Sequence, residues 1–305
     1  MNFNNIIVVG AGVIGSCYGA LLSQKNDVTL VDNKEVTDTI NATGITIITD
    51  VEKKFYPRAQ FNLAKILPNT LILLTTKAHQ SEGAIKQIVH LSQRDSRIGE
   101  DTVILILQNG LGNEDVVRRT VEDRVKVIRG IVNCGAWQVE PGKFNFILRE
   151  TVLEPTVPAG IIVDLFNDCG LPTRVSKDFI SELWQKLVFN CVLNPLTAIF
   201  RVRNYQIGSP VLKNLRHKIV EECLSISEVE GVNLSHNLAN KIDQAIQSYT
   251  NFSSMYQDVV KGRKTEIDFL NGKIVDLAKK HNIPTPYNEV LTDLIKFLEH
   301  VNEIG

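Results

Sequence analysis

The stretch Asn5-Ile6-Ile7-Val8-Val9-Gly10-Ala11-Gly12-Val13-Ile14-Gly15 decides the fold of the first half of this chain. An unbroken apolar run ending in glycine reads as a strand buried on both faces, here residues 5–10. A helix is expected from Val13 to Gln24, small on one side through Gly15, Gly19 and Ala20. A second strand, Asp27 to Val31, closes on Asp32, twenty residues beyond Gly12. Each part of this strand–turn–helix–strand unit has a task. Gly10 permits the tight turn, Gly12 lets backbone approach a pyrophosphate, and Gly15 lets the helix lie close on the sheet. The segment Gly10, Ala11, Gly12, Val13, Ile14 and Gly15 then turns helix-start amides and the helix dipole toward the phosphates. Glycine turns are common, so G-x-G-x-x-G alone is weak. Followed by a helix, a strand and an acid, it reads as a dinucleotide site.

Asp32 bears on which dinucleotide binds. A carboxylate at the end of the second strand accepts bonds from ribose hydroxyls. It also repels a 2′-phosphate, by about 4 kcal/mol per pair of unit charges at ~4 Å and an effective dielectric of ~20, before screening. The cofactor is therefore expected to be NADH or NADPH, with NADH favoured. Lys34 would rescue phosphate binding only if it swung inward; a solvated turn lysine is the simpler reading.

Outward from this unit, residues 70–75, 102–107 and about 125–132 read as further strands separated by helical stretches. That alternation implies a parallel doubly wound sheet, with 44–49 and 55–61 as an inserted β excursion. Ligands collect at the carboxyl ends of such strands. Thr75-Thr76-Lys77 and Gln108-Asn109-Gly110-Leu111-Gly112-Asn113 stand there. Lys77 suits a substrate or cofactor charge, and Asn109 suits a bridge between the two. Ordinary loop chemistry explains either equally well, since Asn-Gly is a turn pair.

Past Gly170-Leu171-Pro172 the period becomes helical: 178–200, 209–230, 235–250, 262–281 and 286–301. The expected class is α/β, an N-terminal Rossmann-type doubly wound sheet over residues 1–175 followed by an all-helical C-terminal domain over 176–305. In the run KLVFNCVLNP, Lys186, Asn190 and Asn194 are the polar positions besides Cys191. Steps of four stack them on one helix face among Leu187, Val188, Phe189, Val192 and Leu193. Burying a cation and two amides there is costly without partners. They either meet a ligand or cap backbone in a crowded core. Pro195 should disturb this helix by removing the amide bond to the carbonyl of Cys191. Ser253 and Ser254 read as helix caps or pocket groups, and Glu266 as a first-turn acid or a pocket acid.

Bulk properties narrow the function classes. The net charge is −1 and the pI about 6.6, so no basic field invites nucleic acid or an anionic membrane. Apolar runs are strand-sized, and the first residues, MNFNN, lead straight into a strand without a charged leader, so the cytoplasm is the expected compartment. Five scattered cysteines without a CxxC pair, and six histidines without HxH or HxxxH spacing, predict reduced thiols and no metal site.

Together the motifs GAGVIG, TTKAHQ, LQNGLGNE, KLVFNCVLNPLTAI, NFSSMYQD, GRKTEIDFLNG and IPTPYN resemble the ketopantoate reductase family nearly end to end. The resemblance implies reduction of 2-dehydropantoate, a small 2-oxo acid, to (R)-pantoate by a nicotinamide dinucleotide. It implies Lys186 as general acid and Glu266 as the acid that bonds the substrate hydroxyl and borders the cofactor. Asn190, Asn194 and Ser254 match pocket positions, Asn204 matches a further one, and Lys77 and Asn109 match positions near the nicotinamide ribose and the reacting carbonyl. Many members carry an arginine after the second strand to grip the NADP phosphate; Val31-Asp32-Asn33-Lys34 lacks it. NAD-linked relatives that reduce branched or aromatic 2-oxo acids are the alternative. A non-catalytic dinucleotide sensor would be expected to have lost Lys186 or Glu266, and both are present. Reduction of a phosphorylated substrate would need a basic cluster; Arg201 and Arg203 are the candidates, more simply solvated. Exposed helical faces in the second half leave room for a homodimer.

Overall fold

The computed structural model describes residues 3–63, 65–95, 101–121 and 125–304. Its contacts divide into two compact units, one of Met1–Gln108 and Gly112–Phe179, the other of Asn109–Leu111 and Ile180–Gly305. The first unit thus runs past residue 175 to Phe179, and the short Asn109–Leu111 turn joins the helical one.

In the first unit the chain forms β1 (Asn5–Val9), α1 (Val13–Leu22), β2 (Val28–Val31), α2 (Lys34–Thr43), β3 (Ile45–Ile48), β4 (Glu52–Phe55), β5 (Arg58–Gln60) and β6 (Thr70–Leu74). It continues through α3 (Ser81–Asp95), β7 (Val103–Ile106), α4 (Asn113–Val121), β8 (Lys126–Val132), β9 (Gly135–Glu140), β10 (Lys143–Ile147), β11 (Thr151–Leu153), α5 (Ala159–Asp168) and β12 (Thr173–Val175). The main sheet has eight strands in the order β12-β11-β8-β7-β6-β1-β2-β5. Its pairings are parallel except β8 with β11, which is antiparallel. Both faces are apolar. Ile6 and Val8 point into one core with Leu71, Leu73 and Leu105; Ile7 and Val9 point into the other with Ile72, Leu74 and Ile106. This two-sided burial is why the strands read as continuous apolar runs rather than as alternating ones.

The β excursion differs from its expected form. The expected 55–61 strand is split: β4 ends at Phe55 and pairs with β3, whereas β5 crosses to the main sheet beside β2. A second, four-stranded sheet, β4-β3-β10-β9, takes in the expected 44–49 strand and the β10 segment.

The second unit contains α6 (Phe179–Phe200) from its second residue on, α7 (Lys213–Val229), α8 (Leu238–Ile246), α9 (Ser254–Val260), α10 (Asn271–His281) and α11 (Pro286–Ile304). Around α6, Leu187, Val188, Cys191, Val192, Leu193, Leu196 and Ala198 are all buried, so this helix is apolar almost all round and forms the axis of its core. The continuous helix expected over 262–281 is broken. A short 3₁₀ turn, Ile267–Phe269, precedes α10, and Leu270 between them leaves helical geometry at φ −113°, ψ −105°. The carbonyl of Phe269 is taken by the amide of Leu111 at 3.1 Å, which removes a bond a continuing helix would have made. The last helix ends at Ile304 rather than 301. No helix among the described residues is long and apolar enough to cross a membrane.

Candidate active site

In the first unit, chain order builds the sheet outward from β1 on one side through β2, then returns to the other side at β6. The β1–β6 junction is therefore the switch point where open α/β sheets hold ligands. The glycine turn lies at its carboxyl end. Gly10 has φ +99°, which a side chain would resist, and a Cβ there would strike the backbone of Thr75 and Thr76. A Cβ on Gly15 would overlap the Gly10 carbonyl oxygen, while one on Gly19 would press on Leu30. The hydroxyl of Thr75 donates to the carbonyls of Val9 (3.1 Å) and Gly10 (2.7 Å), clamping the turn to β6.

Gly12 is different. A Cβ there would meet no atom of the described residues within 4 Å, so no packing among them requires glycine at this place. Gly12 is also the N-cap of α1, whose first turn has no acidic residue and whose cap makes no side-chain bond. Open space over helix-start amides, with the positive end of the dipole behind them, fits a phosphate. Asp32 follows β2; one carboxylate oxygen accepts from the Asn33 amide at 2.7 Å, and the other makes no hydrogen bond to a described residue. Lys34 is exposed as the first residue of α2. Lys77, half-buried, caps the 3₁₀ turn Ala78–Gln80 that precedes α3. Gln108 braces this loop, donating to the Thr76 carbonyl (2.7 Å) and to the Ser81 hydroxyl (2.9 Å). Thr75 and Gln108 lie in the polar clusters that follow the strands, but nothing in the sequence alone singles out these bracing roles.

In the second unit α6 presents Lys186, Asn190 and Asn194 on successive turns. Lys186 is half-buried, its ammonium 5.9 Å from the centre of the Phe189 ring. Asn190 and Asn194 are 5% and 4% exposed, and neither side chain makes a hydrogen bond to a described residue. The capping alternative for these two amides therefore has no support. The helix continues through Pro195 to Phe200.

Ties within this unit hold other polar groups to α6. The Asn271 amide donates to the Cys191 carbonyl at 2.9 Å. Ser253 and Thr197 share a hydroxyl bond of 2.6 Å, and Ser253, not Ser254, caps α9 by accepting from the Tyr256 amide. Ser254 is left as the first residue of α9, half-buried. Glu266 is 7% exposed and accepts a long bond, 3.5 Å, from the Asn109 amide. Gly110 makes that approach feasible: φ is +88°, and a Cβ would strike the Phe269 carbonyl. Asn204 is 1% exposed; its backbone N–H donates to the Asn251 carbonyl, and its side-chain Oδ1 is buried without a partner among the described residues. A buried acceptor left unsatisfied costs about 1–3 kcal/mol, which a ligand donor would recover.

Other chemistries are less favoured by the surroundings. Burial, reinforced by the neighbouring Cys223, pushes the Cys191 thiol well above its ordinary range, and burial does the same to Cys17. Neither is a thiolate nucleophile. Arg203 lies over the Phe252 ring at 4.6 Å and donates to the Thr250 carbonyl, so its guanidinium is engaged in the fold rather than poised for a substrate phosphate. Among the described residues no group of three His, Cys, Asp or Glu is placed to hold a metal.

Comparison with known proteins gives this geometry a lineage. The family pattern described as Ketopantoate reductase PanE/ApbA matches residues 6–153, and its C-terminal counterpart matches 178–299. The chain belongs to the ketopantoate reductase family. It is 34% identical to the 2-dehydropantoate 2-reductase of Pyrococcus horikoshii over 96% of this chain and 97% of that one. Identity to the Vibrio cholerae 2-dehydropantoate 2-reductase is 29%, over 97% and 98%. Among solved structures, a PanE/ApbA family ketopantoate reductase from Ralstonia eutropha superposes with a TM-score of 0.88 at 26% identity, covering 98% of this chain and 99% of that one. A D-mandelate dehydrogenase in ternary complex with NADH and anilino(oxo)acetate superposes with a TM-score of 0.84 at 26% identity, covering 98% and 99%. The protein is thus an oxidoreductase of this family, with the Rossmann-type fold and the nicotinamide cofactor that the family and these neighbours support.

Proposed function

We propose that this protein reduces the 2-oxo group of 2-dehydropantoate to (R)-pantoate, a step of pantothenate and coenzyme A biosynthesis, with Lys186 as general acid. The observation that carries the reading is the α6 face: two buried amides with no described partner stand in line with a half-buried ammonium. The cofactor, when bound, supplies the hydride. As hydride reaches the substrate carbon, negative charge develops on the carbonyl oxygen, and Lys186 Nζ gives it a proton. The neutral amine then recovers a proton from solvent. Such assistance is typically worth ~10²–10⁴-fold.

Glu266 accepts a hydrogen bond from the substrate hydroxyl and borders the cofactor. Asn190, Asn194 and Ser254 hold the carboxylate and hydroxyl, and the unsatisfied Oδ1 of Asn204 takes a substrate donor. Asn109 lies between the reacting carbonyl and the nicotinamide ribose, with Lys77 on the cofactor side. Gly10, Ala11, Gly12, Val13, Ile14 and Gly15 cradle the pyrophosphate. Asp32 binds the adenosine ribose and favours NADH over NADPH, supported by its second oxygen having no described partner.

A second reading draws on the D-mandelate dehydrogenase likeness: an NAD-dependent D-2-hydroxy-acid dehydrogenase acting on branched or aromatic 2-oxo acids. Steady-state rates with 2-dehydropantoate, 2-oxoisovalerate and benzoylformate, each with NADH and NADPH, separate the two. The highest kcat/KM for 2-dehydropantoate supports the first reading; faster reduction of either competitor replaces it with the second.

A homodimer is also proposed. Tyr287, Val290, Leu294, Phe297 and Val301 on α11 are exposed at alternating steps of three and four, a seam suited to a second copy. Light scattering of the purified protein tests it, and a monomer at all concentrations would refute it.

A further inference from the structure

Pro195 has no amide hydrogen, so the Cys191 carbonyl one turn back loses the donor that an uninterrupted helix would supply. That carbonyl is buried in the core of the second unit, where an unpaired acceptor is costly. The structure fills the gap from another part of the chain: Asn271 Nδ2 donates to it at 2.9 Å across a sequence separation of 80. Asn271 is fully buried and spends its other amide hydrogen on Asn288 Oδ1, also at 2.9 Å. Asn288 is itself oriented by Glu222, whose carboxylate accepts from the Asn288 side chain (2.7 Å) and from the backbone amides of Asn288 and Tyr287 (2.9 Å each). Because the carboxylate can only accept, it turns Asn288 Oδ1 toward Asn271, and that in turn fixes Asn271 as the donor. The relay Glu222–Asn288–Asn271–Cys191 thus joins α7, α11, α10 and α6.

The joint falls at a consequential place. Cys191 lies between Asn190 and Asn194 on α6, while Asn271 opens α10, directly after the 3₁₀ turn that begins beyond Glu266. The far end of that turn is held by the Leu111 amide on the Phe269 carbonyl. We infer that Asn271 is a positioning residue: through the carbonyl that Pro195 leaves open, it sets Glu266 in register with Lys186, Asn190 and Asn194. This rests on the roles proposed above for those four residues. The proline is part of the device: it leaves the Cys191 carbonyl without its helical donor, and Asn271 supplies one from another helix.

A positioning asparagine has two separable effects that a purely structural one would not. Asn271→Ala removes both the donor to the buried carbonyl and the tether between Glu266 and α6. Pro195→Ala gives the carbonyl its own helical donor again but restores no tether. In Asn271→Ala, the melting temperature and kcat/KM should both fall, the latter ~10–100-fold because small misplacements at a reacting centre are costly. In the Pro195→Ala/Asn271→Ala double variant, part of the melting temperature should return while kcat/KM stays low relative to Pro195→Ala alone. Amide exchange of the Glu266–Leu270 segment should be faster than wild type in Asn271→Ala and remain so in the double variant. Recovery of kcat/KM along with stability, or exchange in this segment unchanged by Asn271→Ala, would overturn the positioning role. Should the wild-type protein reduce no 2-oxo acid, the functional reading falls, and the exchange result alone still decides whether Asn271 holds Glu266 to α6.

Discussion

The two polar centres are built from different materials. In the first unit the site is backbone: glycine positions, helix-start amides and a single carboxylate, Asp32, at a strand end. In the second it is side chain: an ammonium, two buried amides and a buried carboxylate, on a core tied by bonds such as Asn109 to Glu266 and Asn271 to the Cys191 carbonyl. A backbone site must be correct before the unit can fold. A side-chain site is carried by a core that folds around it. Mutations should therefore confuse folding with binding in the first unit, except where space is left open, and should separate chemistry from folding in the second.

The glycine turn gives the largest expected effect and the sharpest internal contrast. Gly15→Ala forces a methyl into the Gly10 carbonyl, so little folded protein is expected by circular dichroism. Gly12→Ala meets no atom of the described residues within 4 Å and keeps an ordinary backbone at φ −67°. It should fold with a near-native melting temperature yet bind cofactor poorly in titrations. Equal cofactor affinity in Gly12→Ala would remove the phosphate from that space. Next in size, Glu266→Gln should raise KM for the 2-oxo acid by about tenfold or more, in the range of one lost charge-assisted hydrogen bond. Cofactor affinity should change less, and the reverse pattern would break its substrate role. Asp32→Ala should erode the NADH preference by lifting the repulsion on a 2′-phosphate; an unchanged NADH/NADPH ratio of kcat/KM would show that this strand end does not select.

The smallest effect concerns stability in the second unit. Arg216, almost fully buried, donates to Asp243 at 2.6 Å and to the carbonyls of Ile207 and Ser209, the turn that begins at Asn204. Burial acts to raise the Asp243 carboxyl, but bonds from Arg216 and His217 outweigh it and hold it below the usual range. A depressed folded pKa contributes stability in full above the unfolded value, about 3.9, and loses it as pH falls through the folded value. Asp243→Asn should lower the melting temperature by a few degrees near neutrality, and the gap to wild type should close in acid below about pH 4. A gap independent of pH would mean that the charge does not matter.

How much the sequence disclosed follows the same division. The strand–glycine–helix unit is legible because its geometry forces a fixed spacing on consecutive residues. The α6 face is legible because a four-residue step places Lys186, Asn190 and Asn194 together, and Pro195 announces which carbonyl it strands. What answers that carbonyl is not legible: Asn271 stands inside GRKTEIDFLNG, but its partner is 80 residues away. The break in the expected 262–281 helix is hidden for a similar reason, since it depends on Leu111 taking the Phe269 carbonyl. The split of 55–61 between two sheets likewise turns on pairing with β2, which no local pattern in that segment encodes.

The most direct test of the account is a paired measurement on Lys186→Ala: cofactor dissociation constant and kcat for 2-dehydropantoate, beside wild type. The account predicts cofactor affinity unchanged and kcat lower by at least ~10²-fold. Turnover equal to wild type would remove Lys186 from the chemistry and contradict the division of labour between the two centres.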